Sequence, residues 1–193
     1  MTTTHGSALQ LPKSLEHALA AYRHKVFIES LGWELPTAET GLERDQFDRP
    51  ETVYVITQDG QGRINGCARL LPTTQPYLLS EVFPQLLNGA PIPCTAEVWE
   101  LSRFAAVNPS AADKKEQFQV NLTKTLLAAA LRCAEAHGAK RIITVSPVGI
   151  ERLLHRYGVH VHRAGPAMVI DGYPLFACWI ELDDMTRNAL EGY

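Results

Sequence analysis

The chain has 193 residues, 46% of them hydrophobic and 20% charged, which is enough for a sizeable core in one domain. The formal net charge of -3 excludes bulk nucleic-acid binding, though not a local basic patch. No stretch reaches the ~20 apolar residues of a membrane span.

The opening Met1-Thr2-Thr3-Thr4-His5-Gly6-Ser7 lacks the basic-then-apolar order of a signal peptide and reads as a short frayed tail. Ser14 is placed to cap a helix through about Ser30, with Leu15, Ala18, Leu19, Tyr22, Val26 and Phe27 at helical spacing. Gly32 to Asp48 is polar and proline-interrupted, so it reads as an ordered loop. Thr52–Gln58 and Arg63–Leu71 are strands joined by the hairpin turn Asp59-Gly60-Gln61-Gly62. Leu78–Leu87 is a short helix broken at Pro84, and Glu97–Val107 is a strand. Asp113–His137 is a long helix rich in Leu and Ala, closed by Gly138. Arg141–Val145 is a strand. Ser146 and Pro147 then open a helix to Tyr157. Val159–Arg163, Ala167–Ile170 and Leu175–Leu182 are strands, and Asp184–Leu190 is a last turn or two of helix. Runs of helix and strand in this order give an α/β (α+β) sandwich around a mixed sheet. There is no internal repeat or linker. Cys67, Cys94, Cys133 and Cys178 are scattered, with no C-x-x-C pair, as in the reduced thiols of a cytoplasmic protein.

The strand around Glu100-Leu101-Ser102-Arg103-Phe104 carries three polar groups in an apolar run, costly to bury unless they are paired. Alternation puts Val98, Glu100, Ser102 and Phe104 on one face and Trp99, Leu101, Arg103 and Ala105 on the other, unless a bulge re-aims them. The strand is either a structural ion pair or a catalytic element. Upstream stand Arg23, Phe27 and Trp33, then Glu43-Arg44-Asp45-Gln46-Phe47-Asp48, then Gly66-Cys67-Ala68-Arg69-Leu70-Leu71-Pro72. Arg69 within an apolar strand is an unusual place for an unpaired charge. Arg44 and Arg49 flank the two aspartates, and Arg23 and Arg69 are further partners from elsewhere in the chain.

In chain order, Arg23, Phe27, Trp33, Asp45, Asp48, Arg69, Phe83, Glu100 and Arg103 resemble the pattern of the acyl-homoserine lactone synthases of bacterial quorum sensing, from about Leu15 to Trp179. The stretches Asp45-Gln46-Phe47-Asp48 and Arg69-Leu70-Leu71-Pro72-Thr73-Thr74 look most like the branch making medium-chain products. The resemblance implies an N-acetyltransferase-like three-layer sandwich around a mixed, mostly antiparallel sheet. It implies a single synthase domain over 1–193, with 1–50 as an N-terminal lobe over the active site. It also implies an acyltransferase that moves a medium-chain acyl group from acyl carrier protein, with acyl-CoA as the other donor, to the amine of S-adenosylmethionine. The product is then lactonised and methylthioadenosine leaves. S-adenosylmethionine is a substrate here, and no cofactor, metal, nucleic acid or membrane is expected. The pyrophosphate loop of ordinary acetyl-CoA enzymes is missing; Gly60-Gln61-Gly62-Arg63-Ile64-Asn65-Gly66 sits in a hairpin and reads as a turn.

By the same resemblance, Arg23, Phe27, Trp33, Asp45, Asp48, Arg69 and Arg103 hold S-adenosylmethionine, the two rings as pocket walls suited to a sulfonium. Glu100, Ser102 and Arg103 form the catalytic group. Glu100 is the base, because a protonated amine has no lone pair with which to attack a thioester. Phe83, Leu122, Leu126, Ile143 and Thr144 form the acyl pocket. A threonine at position 144 goes with 3-oxo chains in that family, which opposes the unsubstituted medium-chain reading. Arg152, Arg156 and Arg163 make a basic face for the acidic carrier protein, Arg152 and Arg156 one helical turn apart. Trp99 and Trp179 are read as core. His155, His160 and His162 lack an acidic or thiol third ligand nearby in sequence and are not read as a metal site. An N-acyltransferase acting on another amine and a non-catalytic effector-binding module are the rival readings.

Overall fold

Among the described residues, eight strands, β1 (Thr2–Ser7), β2 (Val53–Gln58), β3 (Ile64–Pro72), β4 (Val98–Ala106), β5 (Arg141–Pro147), β6 (Val161–Arg163), β7 (Met168–Ile170) and β8 (Tyr173–Glu181), form one mostly antiparallel sheet in the order β1-β2-β3-β4-β5-β8-β6, with β7 also pairing β8. The computed structural model describes residues 1–33, 41–109 and 120–191. The chain folds as two compact units, one of Met1–Arg69 with Arg103–Ala129 and one of Leu70–Ser102 with Ala130–Tyr193. Strands β3 (Ile64–Pro72) and β4 (Val98–Ala106) each contribute residues to both units.

The first unit opens with β1 (Thr2–Ser7), which corrects the expectation of a frayed tail. It runs antiparallel to β2 (Val53–Gln58), from Thr2 opposite Gln58 to Ser7 opposite Val53. Three consecutive β-branched threonines suit an extended edge strand, and the pairing satisfies backbone groups that β2 would otherwise leave open. The expected Ser14 cap does not form either. Helix α1 (Lys13–Arg23) starts after Pro12, whose extended backbone turns the chain into the helix, and no side chain caps it. From His24 to Ser30 the helix widens into π geometry. Such wide turns concentrate at functional sites, and this one carries Phe27. Leu11, Leu19, Tyr22, Val26 and Phe27 pack with Tyr54, Ile56, Ile64, Cys67 and Ala105. The Tyr22 hydroxyl ties this core to β4's end, donating to the Val107 carbonyl at 2.8 Å and accepting from its amide at 3.3 Å.

The β2–β3 hairpin turns as the sequence predicts. The Asp59 carboxylate accepts from the Gln61 amide at 2.9 Å and the Arg63 amide at 3.0 Å, so this glycine-rich stretch is a turn. Past it, Gly66 lies so close to Thr57 that an added Cβ would stand 2.4 Å from its hydroxyl. Strand β4 holds one residue in the left-handed region, Arg103 at φ 49°. A non-glycine residue pays roughly 1–2 kcal/mol for that conformation. It breaks the period-two alternation on which the two-faced reading of β4 rested.

In the second unit, β4 runs parallel to β5 (Arg141–Pro147), with Glu100 opposite Ile143. Strand β8 (Tyr173–Glu181) pairs antiparallel with β5, β6 (Val161–Arg163) and β7 (Met168–Ile170). Helix α2 (Leu78–Glu81) and a 3-10 turn over Pro84–Leu87 show the break expected at Pro84, the chain past it being wound as 3-10 rather than α. Helix α3 (Val120–Ala136) is the described part of the long Leu/Ala helix; positions 113–119 of that prediction lie outside the described residues. Gly138, at φ 91°, closes it. Ser146 does not cap α4 (Val148–Arg156). It stays in β5, and Pro147 occupies the cap position. Helix α5 (Asp184–Ala189) is capped by the Asp183 carboxylate, which accepts from the Thr186 amide at 3.0 Å. Trp99 is buried as expected, whereas Trp179 is half-buried with the Arg141 guanidinium 4.0 Å above its ring. Among the described residues, no helix is long and apolar enough to cross a membrane.

Candidate active site

Three guanidinium groups and three carboxylates close into one buried network in the first unit. Arg23 reaches it from the last turn of α1, Arg69 from β3 and Arg103 from β4, while Glu43, Asp45 and Asp48 come from the loop before β2. Arg23 bonds Asp48 with both terminal nitrogens, at 2.7 and 2.9 Å, and Glu43 through Nε. Arg69 donates to Asp45 at 2.6 Å and Asp48 at 3.1 Å. Arg103 donates to Glu43 at 3.1 Å and Asp45 at 2.7 Å. The Tyr54 hydroxyl adds a 2.7 Å bond to Asp48. All six side chains are at most 8% exposed, so the equal number of opposite charges is what makes their burial tolerable.

The loop is preformed for this task. The Asp48 carboxylate accepts from the Asp45 amide at 2.8 Å, and the Asp45 carboxylate from the Phe47 amide at 2.9 Å. Burial pushes the Asp48 carboxyl upward. The charge and hydrogen bonds of Arg23, with Arg69 and Tyr54, more than reverse this and hold it well below the usual carboxylate range. Burial works against the charge on Arg23 as well, but Asp48 and Glu43 raise it well above its ordinary value. Arg103 moves the other way, because burial and the nearby Arg69 charge outweigh Glu43 and Asp45.

The sequence reading grouped Asp45, Asp48, Arg23 and Arg69, and the structure brings them together. It adds two details. Arg44 and Arg49, which flank the aspartates in sequence, also meet other acids: Arg44 reaches Glu16 at 3.5 Å and Arg49 reaches Glu51 at 3.0 Å. Glu43, fully buried between Arg23 and Arg103, was missed as a site residue. Charge balance could have found it, since three buried guanidiniums against two aspartates leave one positive charge without a partner.

Phe27 and Trp33 stack on each other with ring centroids 4.7 Å apart. The Arg103 guanidinium lies 5.7 Å from the Phe27 centroid and 5.2 Å from that of Trp33, within cation–π range. Phe27 is buried, and Trp33 is 37% exposed. An aromatic surface thus lies against the charge network within one unit.

The second unit holds Glu100, fully buried, with one carboxylate oxygen accepting from the Leu78 amide at 3.0 Å and the other from the Leu79 amide at 2.7 Å. It therefore holds the start of α2. Burial, reinforced by the Glu100 charge, pushes the nearby Tyr77 phenol upward. Ser102 is buried on the same strand. Thr144 is buried on β5 with its hydroxyl 3.4 Å from that of Ser146. Of the expected acyl-pocket residues, Phe83 is half-buried and Ile143 fully buried in this unit, whereas Leu122 and Leu126 are buried in the first unit's part of α3.

Arg152 and Arg156 are exposed on α4 and, among the described residues, form no ion pair. Arg163, expected in the same patch, is committed to Glu151 by two bonds of 2.8 and 2.7 Å and lies over Phe176. His160 and His162 each meet a carboxylate the sequence reading did not foresee, Asp183 at 2.5 Å and Glu181 at 2.8 Å. Among the described residues, no three histidine, cysteine or acidic side chains are grouped to hold a metal.

Comparison with known proteins agrees with this picture. The chain matches the autoinducer synthase family over residues 9–190. It is 54% identical to an acyl-homoserine-lactone synthase of Acinetobacter nosocomialis over 166 residues, 84% of this chain and 89% of that protein. It is 48% identical to one of Ralstonia solanacearum over 190 residues, 98% of this chain and 92% of that protein. Among solved structures it resembles TofI in a ternary complex with an inhibitor and MTA (TM-score 0.86, 47% identity, 98% of this chain and 96% of that one). It also resembles BjaI, a CoA-dependent acyl-homoserine lactone synthase (TM-score 0.85, 26% identity, 96% and 85%). An acyl-CoA N-acyltransferase from Pseudomonas aeruginosa shares the fold (TM-score 0.61, 17% identity, 92% and 97%). With a family match over residues 9–190 and close relatives along nearly its whole length, the chain belongs to the autoinducer synthase family, the acyl-homoserine-lactone synthases.

Proposed function

We propose that this enzyme transfers a medium-chain acyl group from acyl carrier protein to the amine of S-adenosylmethionine and closes the product to a lactone, releasing methylthioadenosine. The observation that carries the reading is the closed six-residue charge network lying against the Phe27–Trp33 pair. A sulfonium is drawn to aromatic faces, and Arg103, already over both rings, is suited to the substrate carboxylate. The TofI complex with MTA supports a nucleoside site in the family. S-adenosylmethionine is consumed as a substrate, and the chemistry calls for no resident cofactor.

The first step removes a proton from the substrate ammonium. Glu100, whose carboxylate is oriented by the Leu78 and Leu79 amides, accepts it directly or through a water. The freed amine attacks the thioester carbonyl. The tetrahedral intermediate collapses to an amide, and the thiolate leaves and takes up a proton. The carboxylate of the same methionyl group then attacks its own Cγ, the C–S bond breaks, and methylthioadenosine departs with that electron pair. Ser102 and Thr144 are hydroxyls suited to the acyl carbonyl or a neighbouring substituent. Arg152 and Arg156 steer the acidic carrier protein, and the reduced cysteines suit a cytoplasmic enzyme.

The test is a competition among hexanoyl, octanoyl, decanoyl and 3-oxo-octanoyl carrier proteins and octanoyl-CoA, with lactones read by mass spectrometry. Octanoyl carrier protein is expected to win. Each methylene that fits an apolar slot contributes about 0.8 kcal/mol, so chains differing by two carbons separate by roughly tenfold. A dominant 3-oxo product would show that Thr144 sets the specificity. Faster turnover of octanoyl-CoA would make this chain CoA-dependent, as BjaI is.

A further inference from the structure

We propose that Cys67 is a positioning residue for Arg103, its thiol holding the Arg103 peptide in the left-handed conformation from which the guanidinium meets Phe27 and Trp33. Arg103 is a non-glycine residue at φ 49° in the middle of a strand. Such a conformation persists only where the surroundings over-determine it. Here it is held at both ends. The guanidinium is fixed by Glu43 at 3.1 Å and Asp45 at 2.7 Å. The backbone carbonyl accepts from the Cys67 thiol at 3.2 Å.

The thiol is suited to donate and to nothing else. Cys67 is 1% exposed, and burial pushes it up to about 12. It is therefore protonated at neutral pH, and neither nucleophile nor redox centre, since both need the thiolate. Its neighbours Tyr22, Phe27, Tyr54 and Ala105 are core, so a side chain of its size is needed there whatever it bonds. The proton is the added feature. Without it only the guanidinium end is held, and relaxation of the Arg103 peptide toward ordinary strand geometry swings the Cα–Cβ bond and shifts the guanidinium on the two rings.

The inference rests on the reading that Arg103 contacts S-adenosylmethionine. Full-length Cys67→Ser keeps a donor, Cys67→Val keeps volume without one, and Cys67→Ala keeps neither. KM for S-adenosylmethionine and kcat are measured at saturating octanoyl carrier protein. A displacement of about 1 Å at a binding group costs up to a hundredfold. Val and Ala are expected to raise that KM about tenfold without changing the KM for the carrier protein, with Ser within about threefold of wild type. A Val variant equal to wild type, or a Ser variant as impaired as Ala, overturns the proposal. If Val and Ala do not fold, the S–H stretch of the native protein decides, with the Ser variant as the blank. A hydrogen-bonded band is expected, and a band at the free-thiol position refutes it. Arg103→Lys separates the two readings. If it leaves KM for S-adenosylmethionine unchanged, the site assignment fails and this inference with it. If it raises KM while Cys67→Val does not, only the role of Cys67 fails.

Discussion

Replacing Glu43 by glutamine tests whether the network is held by charge balance. The side chain is fully buried, with one carboxylate oxygen on Arg23 and the other on Arg103. Glutamine keeps the shape and one acceptor, but its NH2 group then faces a guanidinium, donor against donor. Three buried positive charges remain against two negative ones. Removing one partner of a buried pair costs about 3–5 kcal/mol, because the other charge stays desolvated. For a chain of this length, that lowers the melting temperature by about 6–20 °C. Thermal unfolding followed by circular dichroism reads it, with unfolding by chemical denaturant as a second measure. Restoring the balance with Arg23→Met in the same chain is expected to recover about 1–3 kcal/mol of the combined loss, a coupling typical of residues in one network. A drop below about 2 °C for Glu43→Gln alone, far under what the desolvated charge requires, refutes the argument. So would strict additivity of the two substitutions.

Glu100→Gln is expected to slow turnover by about a hundredfold or more. The fold should survive, because glutamine still accepts from one of the two α2 amides; a folded variant within a few-fold of wild type removes Glu100 as the base. The Asp48 carboxyl is held below its unfolded value, so the stability it contributes is complete above about pH 5 and is lost as the pH falls below about 4 toward its folded value. The melting-temperature gap between wild type and Asp48→Asn should therefore narrow from pH 6 to pH 3, and a constant gap would contradict the assigned direction. Reversing Arg152 and Arg156 to glutamate should raise KM for acyl carrier protein, more at low salt than at high; an unchanged KM would place the docking face elsewhere.

Much of the fold was legible because it is local. Leu15, Leu19, Tyr22 and Val26 recur at helical spacing, and the Asp59–Gly62 turn is written in residues that bend the chain whatever surrounds them. The elements that were misread depend on partners. Thr2–Ser7 has no apolar stripe and looks like a tail until β2 offers an edge. Ser14 and Ser146 have the chemistry of helix caps, yet proline sets both helix starts. The π geometry of His24–Ser30 leaves no signature in the spacing of its apolar residues, which reads as ordinary helix.

For the site, the sequence alone determined which residue types had to be paired. An arginine in an apolar strand and two aspartates in a short loop are too costly to leave without partners, and the ordered set resembled one enzyme family. The tertiary structure decided who pairs with whom. It brought Glu43 in as the third carboxylate, brought Arg44 to Glu16 and Arg49 to Glu51, set Arg163 against Glu151 and placed both oxygens of Glu100 on the α2 amides. The reason is distance: a buried charge is satisfied only within about 4 Å of its partner, and residues 36 or 60 positions apart in the chain, such as Cys67 and Arg103 or Glu43 and Arg103, come that near only when the sheet has formed.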